Sequence, residues 1–130
     1  MAGIKGANTK PEMSLRRAMH HLGYRYRLHA PNLPGRPDMV FPKYGAVVFV
    51  HGCFWHRHQN CRYATTPATR PEFWERKFAE NVARDERCIR KLTEMGWNTL
   101  VVWECEIRSE GAEAVACKVT DWLSCFLPHG

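Results

Sequence analysis

Thirteen consecutive residues, Phe49-Val50-His51-Gly52-Cys53-Phe54-Trp55-His56-Arg57-His58-Gln59-Asn60-Cys61, hold three histidines, two cysteines and two adjacent aromatics. Cys53, His58 and Cys61 follow C-x4-H-x2-C, so two thiols and one imidazole can converge on a single ion. Zinc takes such donors tetrahedrally, and a structural site is closed by a fourth ligand. No fourth donor lies close by in the chain, and Cys105, at the exit of the last apolar strand, is the candidate. Six cysteines without a secretion signal argue for thiols and metal rather than a disulfide framework. The competing reading is a set of buried free thiols beside exposed histidines. Cys88, Cys117 and Cys125 fall in helical patterns and read as core thiols.

With His58 given to the metal, His51 and His56 are left for other chemistry. Asp38 follows Gly35-Arg36-Pro37, which holds its carboxylate at a rigid junction between loop and strand. That strand turns back into the one that feeds His51 and His56. A carboxylate facing histidines suits metal-assisted phosphodiester hydrolysis: the carboxylate holds a hard cation such as Mg2+, and an imidazole activates water. Taken alone, Asp38 reads more readily as a turn-capping residue, and it is the pairing with the strand that feeds His51 and His56 that favours the site. Phe54 and Trp55 either wedge between base pairs, unstacking them at about a few kcal/mol per step, or pack beneath the metal loop. Of Phe73 and Trp74, one joins a buried helix stripe and the other faces outward.

These residues need positioning elements. Thr9-Lys10-Pro11-Glu12 is a capping box that opens a helix carrying Met13, Leu15, Ala18, Met19 and Leu22, stopped by Gly23. Residues 24–29 alternate as a half-buried strand. Three prolines and a glycine keep residues 30–37 irregular. Short strands follow at 39–41 and 46–50, the second a near-continuous apolar run of a central strand. Thr69-Arg70-Pro71-Glu72 reads as a second capping box, with Pro at the second helical position. It opens a long helix to Met95 whose buried stripe is Phe78, Val82, Ile89, Leu92 and Met95. A strand at 98–103, ending in a core Trp103, and a helix over 112–126 with a core Trp122 complete the chain. The order predicts three antiparallel strands and a crossover that adds a parallel fourth, an α/β sandwich with a mixed sheet.

One hundred and thirty residues suit one domain, 1–130, with a modest core. No apolar run is long enough to span a membrane, and the first residues lack a signal pattern, so a cytosolic protein is expected. The formal charge is +6, and residues 1–37 hold seven Lys or Arg against one acid, Glu12. The whole excess therefore sits in the first segment, and a one-sided basic field favours a polyanionic partner such as nucleic acid. A solvated helix face is the plainer account of the same charges.

At this point the chain resembles one family, the very-short-patch repair (Vsr) mismatch endonucleases. The matching segments are Thr9-Lys10-Pro11-Glu12, Leu33-Pro34-Gly35-Arg36-Pro37-Asp38, Val50-His51-Gly52-Cys53-Phe54-Trp55-His56, Glu72-Phe73-Trp74 and Val102-Trp103-Glu104, in family order across about residues 4–108. The resemblance implies a restriction-endonuclease-like three-layer core with a structural zinc site. It also implies a strand nick in duplex DNA, beside the thymine of a T:G mismatch left by deamination of 5-methylcytosine. Carried over by position, Asp38 resembles the magnesium-binding catalytic aspartate, His56 the general base, His51 the second active-site histidine and Glu12 an assisting acid. Cys53, His58, Cys61 and Cys105 match the zinc ligands, and Phe54, Trp55 and Trp74 the aromatics that enter DNA. Val50 stands where the family often has Thr, which is neutral if the metal uses the backbone carbonyl. The zinc loop is one residue longer between His58 and Cys61 than in some members. The chain starts close to its first motif, so the family's longer N-terminal arm is largely missing and weaker DNA grip is expected. A cytoplasmic, nucleoid-associated monomer follows, with mismatch-repair proteins as candidate partners. The alternative from another class is a non-catalytic, zinc-stabilised DNA-binding module, in which Asp38 and His56 are dispensable.

Overall fold

The apolar run Ala46–His51 is the centre of the molecule. The computed structural model describes residues 9–28, 30–53, 56–58, 61 and 64–126, so Phe54 and Trp55, two of the expected DNA-entering aromatics, lie outside the described residues. The elements are α1 (Lys10–His21), β1 (Arg27–Leu28), β2 (Met39–Phe41), β3 (Ala46–His51), α2 (Pro71–Glu94), β4 (Asn98–Trp103), α3 (Glu104–Glu110) and α4 (Ala112–Ser124). They build one four-stranded sheet in the order β1-β2-β3-β4. β1 and β2 pair antiparallel, as do β2 and β3, while β3 and β4 run parallel in register from Ala46↔Asn98 to His51↔Trp103.

All six residues of β3 are buried because both faces of the sheet are covered. Successive side chains on a strand point to opposite faces. Ala46, Val48 and Val50 accordingly join Leu15 and Met19 of α1 and Val115, Val119 and Leu123 of α4. Val47 and Phe49 meet Leu92 and Ile89 of α2 on the other side. This is an α/β core of three layers with a mixed sheet, as expected. His51 shares the α2-facing side with Val47 and Phe49, which sets the position of the candidate site.

The opening of α1 is as expected: Thr9 is the N-cap, and its hydroxyl accepts from the Glu12 N–H at 3.4 Å. Other expectations are corrected. Of the strand expected over 24–29, His29 lies outside the described residues, and within 24–28 only Arg27–Leu28 pair with β2, both exposed rather than half-buried, because β2 is only three residues long and Pro42 turns the chain. Tyr24 and Tyr26 instead pack their rings against Phe41, and the Tyr26 hydroxyl donates to the Arg16 carbonyl at 2.8 Å. In α2 the N-cap is Arg70, with φ 53° and no side-chain cap, so Pro71 is the first helical residue and Thr69 does not cap. Met13, Leu22 and Met95 are exposed, because each falls on the solvent side or at the end of its helix. Cys117 and Cys125 are exposed rather than core thiols.

The short helix α3 has no counterpart among the expected elements. The chain leaves β4 directly into it, and the Trp103 N–H donates to Glu106 Oε1 at 3.0 Å, satisfying a backbone group at the junction. Glu106, three residues after Trp103, is its signal, masked because Trp is a poor N-cap residue. The final helix ends at Ser124. Among the described residues no helix is long and apolar enough to cross a membrane.

Candidate active site and metal centre

Asp38 is the residue immediately before β2, and the β2–β3 ladder ends at Met39↔Val48. β3 runs on, so Val50 has no backbone partner from β2. Its N–H donates instead to Asp38 Oδ2 at 2.6 Å. In an extended strand the N–H and C=O of one residue point to the same side. The Val50 carbonyl therefore also faces the gap beside Asp38. A carboxylate and a backbone carbonyl are hard oxygen donors of the kind Mg2+ takes.

A second carboxyl reaches the same point from another layer. Glu12 is 1% exposed, pairs with Arg16 one turn along α1, and hydrogen-bonds the Asp38 side chain. Burial pushes the Asp38 carboxyl up to about 8; the Val50 N–H opposes this, and the Glu12 charge adds to it. Two carboxyls cannot share one buried hydrogen bond while both are ionised, so a proton or a cation belongs between them.

His51 and His56 lie beside Asp38. Their rings stack with centroids 3.9 Å apart and planes 7° from parallel. His51 is buried, and burial, followed by the charge of His56, pushes it down to about 4, so it is neutral near pH 7. His56 Nδ1 lies 2.5 Å from Asp85 Oδ2 on α2. The carboxylate orients the imidazole with Nδ1–H toward it and leaves Nε2 as the basic atom. His51, His56 and Asp85 come close enough to suggest a metal site. The stacking argues otherwise: imidazole lone pairs lie in the ring plane, and two parallel planes this far apart cannot both meet one ion at about 2.1 Å. The geometry of the trio suits the passing of a proton better than the chelation of an ion.

Asp85 is not among the residues that the sequence singles out. It interrupts the apolar stripe of α2, where Phe78, Val82, Asp85, Ile89 and Leu92 follow helical spacing, and a lone carboxylate in such a stripe is the available signal. The cleft around Asp38, His51, His56 and Asp85 has a volume of about 490 Å3.

The four expected zinc donors do come together. Cys53, His58, Cys61 and Cys105 offer ligand atoms all within 4.8 Å of one another. Cys105 Sγ lies 3.3 Å from His58 Nδ1, against roughly 3.6 Å for N and S on a tetrahedral zinc. The His58 ring stacks on Trp103, with centroids 4.2 Å apart, so Trp103 is a half-buried wall of this centre rather than core. Burial pushes the Cys53 thiol up to about 12 and raises Cys105 as well. A bound cation reverses that, because a coordinating thiol is deprotonated. Three thiols and one imidazole fit zinc by donor type, count and spacing.

Arg57, between the two histidines, has φ 53° and fastens the loop. Its guanidinium donates to the carbonyls of Ala64 and Thr65 at 3.0 and 2.9 Å and lies 3.9 Å over the Phe78 ring. Trp74 is half-buried and stacks on Phe78, whereas Phe73 is the exposed member of that pair.

The chain also matches known proteins. A family model described as DNA mismatch endonuclease Vsr matches residues 1–62. The type II nicking enzyme V.XorIIP of Xanthomonas oryzae is 46% identical over 112 residues, covering 86% of this chain and 82% of that protein. The DNA mismatch endonuclease Vsr of Escherichia coli is 41% identical over 126 residues, covering 95% of this chain and 80% of its own. The type II nicking enzyme V.NmeAIP of Neisseria meningitidis is 38% identical over 110 residues, 85% of this chain and 78% of that one.

Proposed function

This chain belongs to the Vsr family of DNA mismatch endonucleases, and from that premise we propose the reaction its cleft performs. It is a DNA endonuclease, a hydrolase of phosphodiester bonds. The proposed substrate is duplex DNA with a T:G mismatch arising from deamination of 5-methylcytosine, and the proposed product is a nick in one strand beside the mismatched thymine. The observation that carries the reading is the convergence in one cleft of Asp38 from the loop before β2, His51 from β3, His56 from the loop after it and Asp85 from α2.

Asp38 and the Val50 carbonyl would hold Mg2+, which supplies charge neutralisation at the reacting phosphate. His56 takes the proton of the attacking water at Nε2, while Asp85 fixes the ring and stabilises the imidazolium that forms. His51, neutral and stacked on His56, offers a hydrogen bond to the phosphate without adding a competing charge. Glu12 acts through Asp38, sharing the proton or cation between the two carboxyls. Attack on phosphorus with departure of the 3′ oxygen leaves a 3′-hydroxyl and a 5′-phosphate.

Cys53, His58, Cys61 and Cys105 would hold Zn2+ as a structural ion, closing the loop that carries His56. Phe54, Trp55 and Trp74 are the proposed DNA-entering aromatics, with exposed Phe73 beside Trp74. The protein acts as a cytoplasmic monomer of one domain, 1–130, with mismatch-repair proteins as candidate partners.

Strand nicking on end-labelled duplexes tests the reading. A T:G mismatch in a cytosine-methylase context and the matched T:A pair are compared, with and without Mg2+, using the intact protein and Asp38→Ala. A Mg2+-dependent nick beside the mismatched thymine, lost in Asp38→Ala, is expected. Equal nicking of matched DNA would remove the mismatch specificity. Binding without any nick by either protein would leave the DNA-binding module.

A further inference from the structure

The reaction above places up to three carboxylates, Glu12, Asp38 and Asp85, around a phosphodiester, which repels the polyanion it must admit. Two guanidiniums that the reaction does not use also line this cleft, those of Arg36 and Arg84. Both residues are exposed. Among the described residues neither is engaged in an ion pair or a side-chain hydrogen bond, in contrast to Arg16, Arg57 and Arg108.

Their placement is built by the fold. Gly35, at φ +74°, lies against α2 so closely that a Cβ there would sit 3.0 Å from Cys88 Cβ. Cys88 is one helical turn beyond Arg84, so the two share a face of α2. Arg36 thus stands on the loop wall of the cleft and Arg84 on the helix wall. Arg36 itself has φ 48°, a conformation uncommon for a residue with a side chain, and its N–H donates to the Leu33 carbonyl at 3.1 Å to close the turn. A position that suits Gly or Asn carries a guanidinium at the mouth of the cleft.

We propose that Arg36 and Arg84 are positioning residues that grip the DNA phosphates flanking the scissile one, holding the strand in register over Asp38 and His56. Guanidiniums suit this because their fork of donors matches phosphate oxygens, and each phosphate neutralised adds to the salt dependence of binding. The inference rests on reading this cleft as the phosphodiester site.

The test pairs Arg36→Gln and Arg84→Gln with duplexes in which one phosphate at a time, near the scissile position, is replaced by a neutral methylphosphonate. Binding is read by fluorescence anisotropy without Mg2+, and nicking by single-turnover kinetics with it. Each variant is expected to bind the unmodified duplex several-fold more weakly. Its slope of log affinity against log salt should become shallower by about 0.9 for each phosphate no longer neutralised. Each should then be indifferent to one methylphosphonate position that weakens the parent protein, and its saturating nicking rate should fall too, to that of the parent on the duplex with that same methylphosphonate. Variants that bind like the parent, or whose losses add to those of every methylphosphonate, would overturn the clamp. Absence of nicking by the parent would instead sink the proposed reaction, leaving the anisotropy arm to decide whether these arginines hold phosphates.

Discussion

His56 and Asp85, twenty-nine residues apart in sequence, meet at 2.5 Å between Nδ1 and Oδ2, joining the metal loop to the middle of α2. The pairing gives the imidazole one orientation and one tautomer. A base that is free to rotate, or that carries its proton on the wrong nitrogen, is within reach of water and still unable to accept from it.

Asp85→Asn keeps the shape and removes the acceptor that demands Nδ1–H. Nicking is expected to fall by roughly 10²–10⁴-fold, the range for loss of general-base action. Duplex affinity and zinc content should hold. Measured single-turnover rates within about threefold of the parent would show that Asp85 does not orient the base.

Asp38→Asn should separate stability from activity. Burial, with Glu12 adding to it, pushes the folded carboxyl up to about 8, whereas the unfolded group releases its proton near pH 4. Between those values the folded state binds more protons, so stability falls as pH rises through the window. In Mg2+-free buffer the variant should be more stable than the parent at pH 8, by at least about 1 kcal/mol, and nearly equal to it at pH 4, while nicking is abolished. Urea midpoints at the two pH values check this. A variant less stable than the parent at pH 8 would contradict the raised carboxyl.

His51 runs the other way. Its folded value is pushed down to about 4 by burial, while the unfolded imidazole takes a proton near 6.5. The unfolded state binds more protons between those limits, so stability is lost as pH falls from about 6.5 to about 4. Relative to pH 7, this group should cost about 1 kcal/mol at pH 5.5, and His51→Gln should remove that difference. Identical pH profiles of the two proteins would count against a neutral buried His51.

Zinc content should follow the four donors and no other thiol. Cys61→Ser and Cys105→Ser are each expected to lose the metal and lower the thermal midpoint together, because metal binding is coupled to folding. Cys117→Ser and Cys125→Ser, which alter exposed thiols, should change neither. Atomic absorption and calorimetry on the same samples decide it; zinc retained in Cys105→Ser would mean a different fourth ligand.

Much of this arrangement is legible in the sequence, and the exceptions have physical reasons. The apolar run of β3 predicts its central place because only a strand covered on both faces loses its alternation. The spacing of Cys53, His58 and Cys61 predicts a donor cluster because a short loop leaves few ways to direct them. Asp85 escapes notice because one carboxylate among Arg84, Glu86 and Arg87 looks like a solvated helix face until Val82, three residues before it, and Ile89, four after it, are considered. Alternation over residues 24–28 overstates the strand because it describes one segment, whereas a ladder also needs a partner, and only Val40 and Met39 of β2 pair with it, at Arg27 and Leu28. α3 is hidden because its capping signal sits on the helix side of the junction, at Glu106, and not on Trp103.

The two sets of functional residues are interlaced along the chain. The proposed proton-handling groups and carboxyls run from Glu12 to Asp85, the thiol and imidazole donors from Cys53 to Cys105, and His56 sits inside the second set while belonging by geometry to the first. No single cut yields a fragment with either set complete and the other absent. A chain that has reached Asp85 still lacks Cys105, the last donor of the cluster around the loop that carries His56, so the two sets are complete together only once the final strand has been passed. For a protein that hydrolyses the genetic material around it, the topology is itself a safety catch.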